Sequence, residues 1–215
     1  MLNVKGRGLS GDIEDVFLPD VHAGNAVGID FGLKTFLTLS DGTKIESPLW
    51  LLHGLENVRM ANRQLSRKEK GSGNWKRARL HYAKVHEDIS NQRRDWFYKL
   101  ARSLTTTYAV ICLEDLNLDA MKRLWGRKVS DLGFAEFEHI LEYEALLNGC
   151  EIVKIDREVP SSKACHCCGT INDKLSLKDR SWDCPSCHAH LDRDINAAIN
   201  ILDQGMLSKY GKAVI

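Results

Sequence analysis

Four cysteines place the strongest constraint on how this chain can fold. They form two pairs, Cys165-x2-Cys168 and Cys184-x2-Cys187, with fifteen residues between the pairs. Each pair can place two thiolates on one tetrahedral ion, and this spacing is typical of a zinc ribbon built from two knuckles. Gly169 follows the first knuckle, where a tight turn is needed. Because four thiolates leave no coordination position for water, we expect this zinc site to have a structural or binding role.

Other side chains near the four cysteines leave room for one substitute ligand, although four cysteines are the preferred set. These neighbours are Cys167, His166, His188 and His190. The two remaining cysteines, Cys112 and Cys150, lie in apolar strand contexts and are expected to pack in the core.

Three carboxylates that are distant in the sequence form the second pattern. Asp30 lies inside an apolar strand at 26–32, and Glu114 ends another apolar strand at 108–114. Ionisable groups in such strands are rarely buried without a partner or a metal ion. Asp194 lies at the start of a predicted helix, where an acidic residue often serves as the N-cap. Either Asp192 or Asp194 could be that cap, so Asp192 remains the rival for the third functional position.

The three carboxylates together indicate one kind of chemistry. Two magnesium ions about 3.5–4 Å apart can stabilise the attacking and leaving oxygens of a phosphoryl displacement, and hard cations prefer oxygen ligands. Strand ends and a helix start are rigid positions on which such ligands can converge. We therefore predict a divalent-metal phosphodiesterase with Asp30, Glu114 and Asp194 as catalytic, magnesium-binding residues.

Size and composition fit one larger domain that carries a small insert. The chain has 215 residues, 43% of them hydrophobic, which is enough to bury a core. No stretch approaches the ~20 apolar residues that span a bilayer, and the first residues lack the apolar run of a secretory signal. We expect a cytoplasmic protein, associated with the nucleoid of a prokaryote, without a membrane partner.

Positive charge is concentrated in one part of the chain. Residues 55–104 contain 13 Lys or Arg against 5 Asp or Glu, whereas the rest of the chain contains 17 against 24. Such a region can bind a polyanion, although a solvated helical face would look the same. Trp75 and Tyr82 could stack on bases, while Trp96 and Phe97 fit core packing better. The candidate nucleic-acid-binding residues are Arg63, Arg67, Lys68, Lys76, Arg77, Arg79, Arg93 and Arg94.

Hydrophobic periodicity and turn signals predict an alternation of strands and helices. The predicted elements are a hairpin over 26–40, a third strand at 44–46, a helix from Leu51 to Leu65, a helix over 74–105, strands at 108–114 and 150–156 around a helix over 131–148, and a final helix from 192 or 193. This is the order of an α/β, RNase H-like fold with a mixed sheet and right-handed crossovers. The cysteine segment is an insert before the last helix.

These motifs resemble those of the TnpB (OrfB) family of transposon-encoded nucleases, relatives of type V CRISPR effectors. The resemblance covers about residues 24–203 and matches the C-terminal half of the family. The matching pieces are Gly28-Ile29-Asp30-Phe31-Gly32-Leu33-Lys34, Leu113-Glu114-Asp115-Leu116-Asn117, Ser161-Ser162-Lys163-Ala164-Cys165 with Cys168-Gly169, Trp182-Asp183-Cys184-x2-Cys187, and Asp192-Arg193-Asp194-Ile195-Asn196-Ala197-Ala198.

The resemblance implies an RNA-guided DNA endonuclease that requires magnesium, with Asp30, Glu114 and Asp194 as its catalytic triad. The implied organisation is a short N-terminal segment at 1–25, a RuvC-like nuclease domain at 26–160 and 191–205, a zinc-ribbon module that binds target nucleic acid at 161–190, and a tail at 206–215. Expected partners are DNA, a guide RNA and, in one version, a second protein chain or a second copy.

The chain departs from the family in having only 29 residues before Asp30, where family members usually carry a long recognition region. This departure leaves an alternative open: a catalytically silent nucleic-acid-binding remnant or accessory subunit. Unguided hydrolysis of DNA junctions is a third possibility. A DDE-type transposase would also use three carboxylates, but the insert before the last acidic helix favours the TnpB-like pattern.

Overall fold

The computed structural model describes residues 25–46, 50–115, 132–176 and 178–211. Almost all of the predicted N-terminal segment at 1–25 therefore lies outside the described residues. The same is true of residues 212–215 in the predicted tail and of Leu116 and Asn117 in the second motif.

A five-stranded mixed sheet forms the centre of the molecule. Its strands are β1 (Ala26–Phe31), β2 (Leu37–Leu39), β3 (Lys44–Ile45), β4 (Val110–Glu114) and β5 (Glu151–Ile155), and their order across the sheet is β3-β2-β1-β4-β5. The β1-β2-β3 part is antiparallel, whereas β1, β4 and β5 are parallel neighbours. All five predicted strands are confirmed. β4 starts later than predicted because Tyr108 still donates its backbone N–H to Leu104 as the cap of the preceding helix.

Four helices accompany the sheet, and a small hairpin forms separately. The helices are α1 (Trp50–Ser66), α2 (Gly73–Thr107), α3 (Phe134–Asn148) and α4 (Arg193–Tyr210); the hairpin strands are β6 (Ser181–Asp183) and β7 (His190–Asp192). α2 begins at Gly73 because the Ser72 hydroxyl accepts a hydrogen bond from the Trp75 N–H at 3.1 Å. Gly149 ends α3 in the left-handed conformation.

The sheet separates two hydrophobic layers. On one side, α2 and α3 pack over an aromatic cluster in which Phe36 stacks on Phe97 and Phe134 with ring centroids 5.6 and 5.5 Å apart. On the other side, Cys112 of β4 packs with Ile201 of α4. Successive residues of β4 therefore point into different layers, which explains its continuous apolar sequence. Burial of Cys112, Cys150 and Phe97 confirms their predicted core positions.

The register of β1 and β4 brings two acidic residues together. Ile29 of β1 is paired with Leu113 of β4, so Asp30 and Glu114 directly follow paired residues at the carboxyl ends of adjacent parallel strands. A Cβ on Gly28 would meet α4, and Asp30 lies two residues further along the same strand. Because alternate residues of a strand share a face, the Asp30 side chain lies on the α4 side of the sheet.

Gly28 allows α4 to approach the sheet closely. A Cβ at this position would collide with the Ala198 carbonyl oxygen and lie 2.7 Å from the Leu202 backbone N. Backbone atoms of a packed helix cannot move away cheaply, so we expect Gly28→Ala to destabilise the protein by about 3 kcal/mol. Urea denaturation followed by circular dichroism measures this change.

The matched control is Gly73→Ala at the first residue of α2, where a Cβ would have no neighbour within 4 Å. Its stability should stay within about 1 kcal/mol of the parent protein. A Gly28→Ala protein as stable as the control would contradict the close packing of α4 on β1.

None of the helices in the described ranges combines the length and apolar character needed to cross a bilayer.

Candidate active site and cysteine cluster

Three carboxylates from separate elements line one cavity of about 740 Å³. Asp30 comes from β1, Glu114 from the end of β4 and Asp194 from the first turn of α4. Basic residues share the cavity walls; they are Lys34, Arg157, Lys163, Arg180 and Arg193. The cavity thus combines acidic ligands for cations with cationic groups that can contact a polyanion.

Asp30 lies in the most unfavourable environment of the three acids. Burial, together with the charges of Asp194 and Glu114, raises the pKa of its carboxyl group to about 8, while Arg193 acts in the opposite direction. Removal from water and like charge both oppose ionisation. A bound cation would reverse this balance, since it neutralises the repulsion among the carboxylates.

The environment of Glu114 also opposes ionisation. Burial raises the pKa of Glu114, and the Ser161 side chain acts in the opposite direction. Both residues line the cavity. The hydroxyl therefore favours the charged carboxylate at the position where a cation would need it.

The structure gives Asp192 and Asp194 different environments. Asp192 is the N-cap of α4: its Oδ1 accepts hydrogen bonds from the backbone N–H groups of Asp194 and Ile195 at 3.0 and 3.1 Å. Its Oδ2 lies 2.7 Å from Lys44 Nζ, outside the set of residues that line the cavity. Asp194 lines the cavity and is paired with Arg193 Nη2 at 3.0 Å and Arg180 Nη1 at 3.5 Å. The capping function of Asp192 leaves Asp194 as the acid that faces Asp30.

The donor chemistry of this cavity fits a hard divalent cation, because the available ligands are carboxylate oxygens. The three carboxylates nevertheless remain further apart than the ligand atoms of the cysteine cluster described next. Arg193 and Arg180 hold Asp194 from one side of the cavity.

The four predicted cysteine ligands converge. The Sγ atoms of Cys165, Cys168, Cys184 and Cys187 all lie within 4.8 Å of one another, and over the part of the chain that the structure describes no other set of three or more His, Cys, Asp or Glu side chains does so. Individual Sγ–Sγ distances are 3.7 Å for Cys165 and Cys187 and 3.5 Å for Cys168 and Cys184. An all-sulfur set of this size fits tetrahedral zinc.

Each knuckle closes with the same backbone turn. The N–H of Gly169 donates to the Cys165 carbonyl at 2.7 Å, and the N–H of His188 donates to the Cys184 carbonyl at 3.0 Å. Both turn residues have positive φ, 74° for Gly169 and 61° for His188. The predicted function of Gly169 is therefore confirmed, and His188 takes the same position in the second knuckle. Hydrogen bonds from the Thr170 side chain and backbone lower the pKa of Cys168 to about 6, which favours the thiolate that zinc binds.

The possible substitute ligands have other contacts. His166 Nδ1 lies 3.1 Å from Asn196 Oδ1, and His190 Nδ1 lies 2.7 Å from Asp183 Oδ1. Cys167 is exposed, with its Sγ 3.3 Å from His166 Nε2. These contacts support the four-cysteine ligand set over a mixed one.

The core of the cysteine module is small. Trp182 and Leu191 pack with two of the ligand cysteines, and Leu175 and Ala189 are only partly buried against them. A core of this size rarely folds without an additional cross-link such as a metal ion. The module is joined directly to the acidic cavity, because β7 ends at Asp192 and α4 begins at the next residue.

The candidate nucleic-acid-binding residues fall into two groups. Six are exposed on or beside α1 and α2; they are Arg63, Arg67, Lys68, Lys76, Arg77 and Arg79. The other two pair with one acid of α3: Arg93 Nη2 lies 2.7 Å from Glu136 Oε2, and Arg94 Nε lies 3.1 Å from Glu136 Oε1. Packing of α2 on α3 therefore provides Arg93 and Arg94 with an intramolecular partner.

Several side chains around the cavity were not identified as site residues from the sequence. They are Ser161, Arg180, Arg193, Asn196 and Asn200. Asn196 and Asn200 carry a weak local signal, because polar residues four apart on a helix share a face. The sequence gives no local signal for Ser161 or Arg180, because the residues that they contact lie far away along the chain.

The family model OrfB_IS605, described as "Probable transposase", matches residues 11–124, more than half of the chain. The chain belongs to this family. A second model, the Cas12f1-like TNB domain, matches residues 134–201 and thus covers the cysteine module and the start of α4 in this OrfB family member.

Individual relatives agree with the family assignment. A Streptomyces pristinaespiralis protein named "Putative RNA-guided DNA endonuclease" is 40% identical over 195 residues, covering 90% of this chain and 48% of the relative. InsQ of Escherichia coli K12, with the same description, is 27% identical over 208 residues, covering 89% of this chain and 52% of the relative. The chain thus spans about half the length of these curated relatives.

A solved structure also shares the fold. The chain aligns with a protein in a cryo-EM structure of a CRISPR-Cas12f ternary complex with a TM-score of 0.61 and 22% identity, covering 82% of this chain and 38% of that one. This similarity confirms the predicted mixed α/β architecture, a sheet with helices.

Proposed function

We propose that this OrfB family chain is the catalytic portion of an RNA-guided DNA endonuclease, with a RuvC-like nuclease domain at 26–160 and 191–205. The observation that carries the proposal is the convergence of Asp30, Glu114 and Asp194 on one cavity from two adjacent parallel strands and a helix start. The names of the relatives support the same activity, which we extend to this chain as a proposal.

The strand arrangement supports an RNase H-like assignment. An antiparallel β1-β2-β3 unit continues into parallel β4 and β5, and α4 packs across β1 near its acidic end. Ligand sites of open α/β sheets lie beyond the carboxyl ends of the parallel strands. Asp30 and Glu114 occupy that edge of the sheet.

The proposed chemistry is phosphodiester hydrolysis with Mg²⁺. Two bound divalent cations would stabilise the attacking and leaving oxygens of an in-line displacement. The chain's own residues hold the geometry: the sheet fixes Asp30 and Glu114, and the capped first turn of α4 fixes Asp194. Lys34, Arg157 and Lys163 provide positive charge at the cavity wall for the phosphates of a bound strand.

The cysteine module at 161–190 is proposed to hold one structural zinc ion and to contact the target nucleic acid beside the cavity. Its four thiolates leave no position for water, so it contributes no reaction step. The six exposed basic residues on or beside α1 and α2 are proposed to bind the nucleic-acid backbone. Trp75, whose ring centroid lies 5.6 Å from Arg79 Cζ, is a candidate surface on which bases can stack.

The two acids at the start of α4, Asp192 and Asp194, allow the proposed metal ligand to be distinguished from the helix cap. Asp194→Asn should lower Mg²⁺-dependent DNA cleavage by at least about 1000-fold, because it removes a metal ligand from the cavity. Asp192→Asn is the matched control: asparagine still caps a helix, so cleavage should stay within about 3-fold of the parent. Cleavage of plasmid and single-stranded DNA by purified protein, together with its copurifying RNA, measures both variants. The opposite pattern would transfer the ligand function to Asp192.

The same preparations separate guided cleavage from the alternatives. Sequencing the RNA that copurifies with the protein identifies a guide, and cleavage should then require DNA complementary to that RNA. Equal cleavage after removal of the RNA would indicate an unguided nuclease. Salt-sensitive DNA binding without product in any divalent metal would indicate the accessory, non-cleaving protein instead.

A further inference from the structure

The two oxygens of the Asp194 carboxylate have different partners. Oδ1 lies 3.2 Å from Nε and 3.0 Å from Nη2 of Arg193, so one edge of this guanidinium is directed at a single oxygen. Oδ2 lies 3.5 Å from Nη1 of Arg180, which is the outer limit of a hydrogen bond. The first oxygen is therefore held firmly, and the second is held weakly.

The contact between Arg193 and Asp194 does not follow from helix geometry alone. Side chains three or four positions apart normally meet on a helix, whereas adjacent residues project in different directions. Arg193 and Asp194 are the first two residues of α4, so the arginine side chain must fold across the helix start to reach its neighbour. Its backbone N–H also donates to the Arg180 carbonyl at 2.9 Å, which fixes Arg193 against the strand that leads into β6.

The two arginines differ in how freely their side chains can leave Asp194. The side chain of Arg193 is 14% exposed, whereas that of Arg180 is 53% exposed. A half-exposed arginine in a long contact gains little from its partner and can exchange it for water. Two charge-assisted hydrogen bonds from a largely buried guanidinium restrict the carboxylate much more strongly. Arg193 is thus the fixed partner of Asp194, and Arg180 is the displaceable one.

We propose that Arg193 is a positioning residue for Asp194: it holds Oδ1, so that Oδ2 is the oxygen that binds a divalent cation, and Arg180 covers Oδ2 in the absence of that cation. This inference rests on the proposed function, since it assigns Asp194 to a cation site. An aspartate can present either oxygen, and a fixed donor on one of them selects a single orientation. Removal of groups that orient metal ligands typically costs about 10–100-fold in metal affinity.

The charge of Arg193 by itself would affect cation binding in the opposite direction. Like charges repel, so an arginine that acted only through its charge would weaken the binding of a cation nearby. Lysine retains the charge but lacks the planar fork of donors that reaches Oδ1. Arg193→Lys therefore separates the two effects: loss of positioning weakens cation binding, whereas a pure charge effect leaves it unchanged.

Binding of Mn²⁺ tests the assignment without a guide, a substrate or turnover. Free Mn²⁺ is measured by electron paramagnetic resonance during titration of the full chain with its zinc content intact. Arg193→Lys should raise the Mn²⁺ dissociation constant by about 10-fold. The matched control is Arg157→Lys, the same substitution in the same cavity wall, where the arginine is paired with Asp115; it should change the constant by less than about 3-fold. Equal effects of the two substitutions, or no effect of Arg193→Lys, would overturn the positioning role.

Arg180→Gln tests the displaceable cover. Removal of a positive charge that competes for Oδ2 should lower the Mn²⁺ dissociation constant by about 3–10-fold. Lys163→Gln removes a positive charge from the same cavity wall, but within the described residues Lys163 forms no ion pair with Asp194, so its effect should be smaller. Equal decreases in the two variants would mean that only net charge matters, and would overturn the covering role of Arg180.

Asp30→Ala distinguishes failure of this inference from failure of the proposed function. It should abolish Mn²⁺ binding at the cavity, because it removes a proposed ligand. Normal binding by Arg193→Lys alongside loss in Asp30→Ala would overturn the positioning role while retaining the cation site. Normal binding by both would reject the cation site itself, and with it the proposed function.

Zinc content and circular dichroism are measured on the same samples. Each variant should retain the parent spectrum and about one zinc ion per chain, as expected for one four-cysteine site. If Arg193→Lys lost zinc together with Mn²⁺ affinity, Arg193 would belong to the folding of the cysteine module, and the positioning role would be overturned.

Discussion

Asp30→Asn will make the magnesium-free protein more stable while reducing DNA cleavage by at least about 1000-fold. The pKa of Asp30 is raised to about 8 by burial and by the charges of Asp194 and Glu114. A group with a raised folded-state pKa stabilises the fold only at low pH, and that contribution is lost as pH rises from the unfolded value near 4 through about 8. Asparagine lacks this charge, so the gain near neutral pH should be on the order of 2–4 kcal/mol.

Thermal unfolding between pH 5 and 9 measures this difference. The buffer must be freed of Mg²⁺ by a resin treatment of the buffer alone, because a chelator added to the protein would also remove zinc. Asp30→Asn should unfold roughly 5–10 °C above the parent near neutral pH and depend less on pH. Added Mg²⁺ should raise the melting temperature of the parent but not that of the variant, because binding to the folded state is the source of the stabilisation.

Asp41→Asn is the control with the opposite sign. Partial burial acts to raise the pKa of Asp41, but hydrogen bonds from Thr43 and Tyr108 outweigh this effect and lower the pKa overall. The Asp41 carboxylate therefore favours the folded state above its unfolded pKa, and its loss should give no gain in stability. A decrease in melting temperature for Asp30→Asn, or an unchanged response to Mg²⁺, would contradict the buried cation site.

Cys184→Ala will remove zinc and unfold the cysteine module. Cys184 is buried with Trp182 and Leu191 in a core too small to fold unaided. Structural zinc binding in small domains contributes about 10–16 kcal/mol, and in such domains this is folding energy. Zinc content should fall from about one ion per chain to almost none. Amide hydrogen exchange should show loss of protection over 161–190.

Cys167→Ala is the matched control within the same knuckle. Cys167 lies between two ligand cysteines but is exposed, with its sulfur near His166 rather than in the cluster. It should retain zinc and protection. β7 ends at Asp192, the residue that caps α4. Unfolding of the module in Cys184→Ala should therefore also reduce the increase in melting temperature that Mg²⁺ produces. Equal zinc content in the two variants would rule out the four-cysteine site.

Local sequence patterns predicted those parts of the molecule in which the interacting residues are near each other in the chain. The spacing of Cys165 and Cys168, followed by Gly169, specifies a turn that already brings two thiols together. The strands and helices follow from periodicities of a few residues, and α2 differs from its predicted bounds by only one or two residues at each end. The placement of Asp30 and Glu114 within apolar strands was equally visible in the sequence, and it indicated a functional partner because an acid in such a context needs one.

Assignments that depend on packing between distant elements could not be made from the sequence. The sequence leaves open whether Asp192 or Asp194 caps α4, and the side chain of Asp192 takes the cap through its hydrogen bonds to the first turn and its contact with Lys44. The sequence predicts Arg93 and Arg94 as nucleic-acid contacts, and the packing of α2 on α3 also gives both a partner in Glu136. No neighbouring residue indicates such a partner.

By itself the sequence determined the family, the order of the strands and helices, the four clustered cysteines and the three acids, because short-range spacing and side-chain chemistry specify each of them. Tertiary structure alone decided how these parts meet: the register that places Asp30 beside Glu114, the contact of α4 at Gly28, and the hydrogen bonds from Asn196 and Asn200 of α4 to the Ser161 carbonyl. These contacts join residues tens of positions apart, and their energies depend on close packing and on buried hydrogen bonds that exist only after the chain has folded.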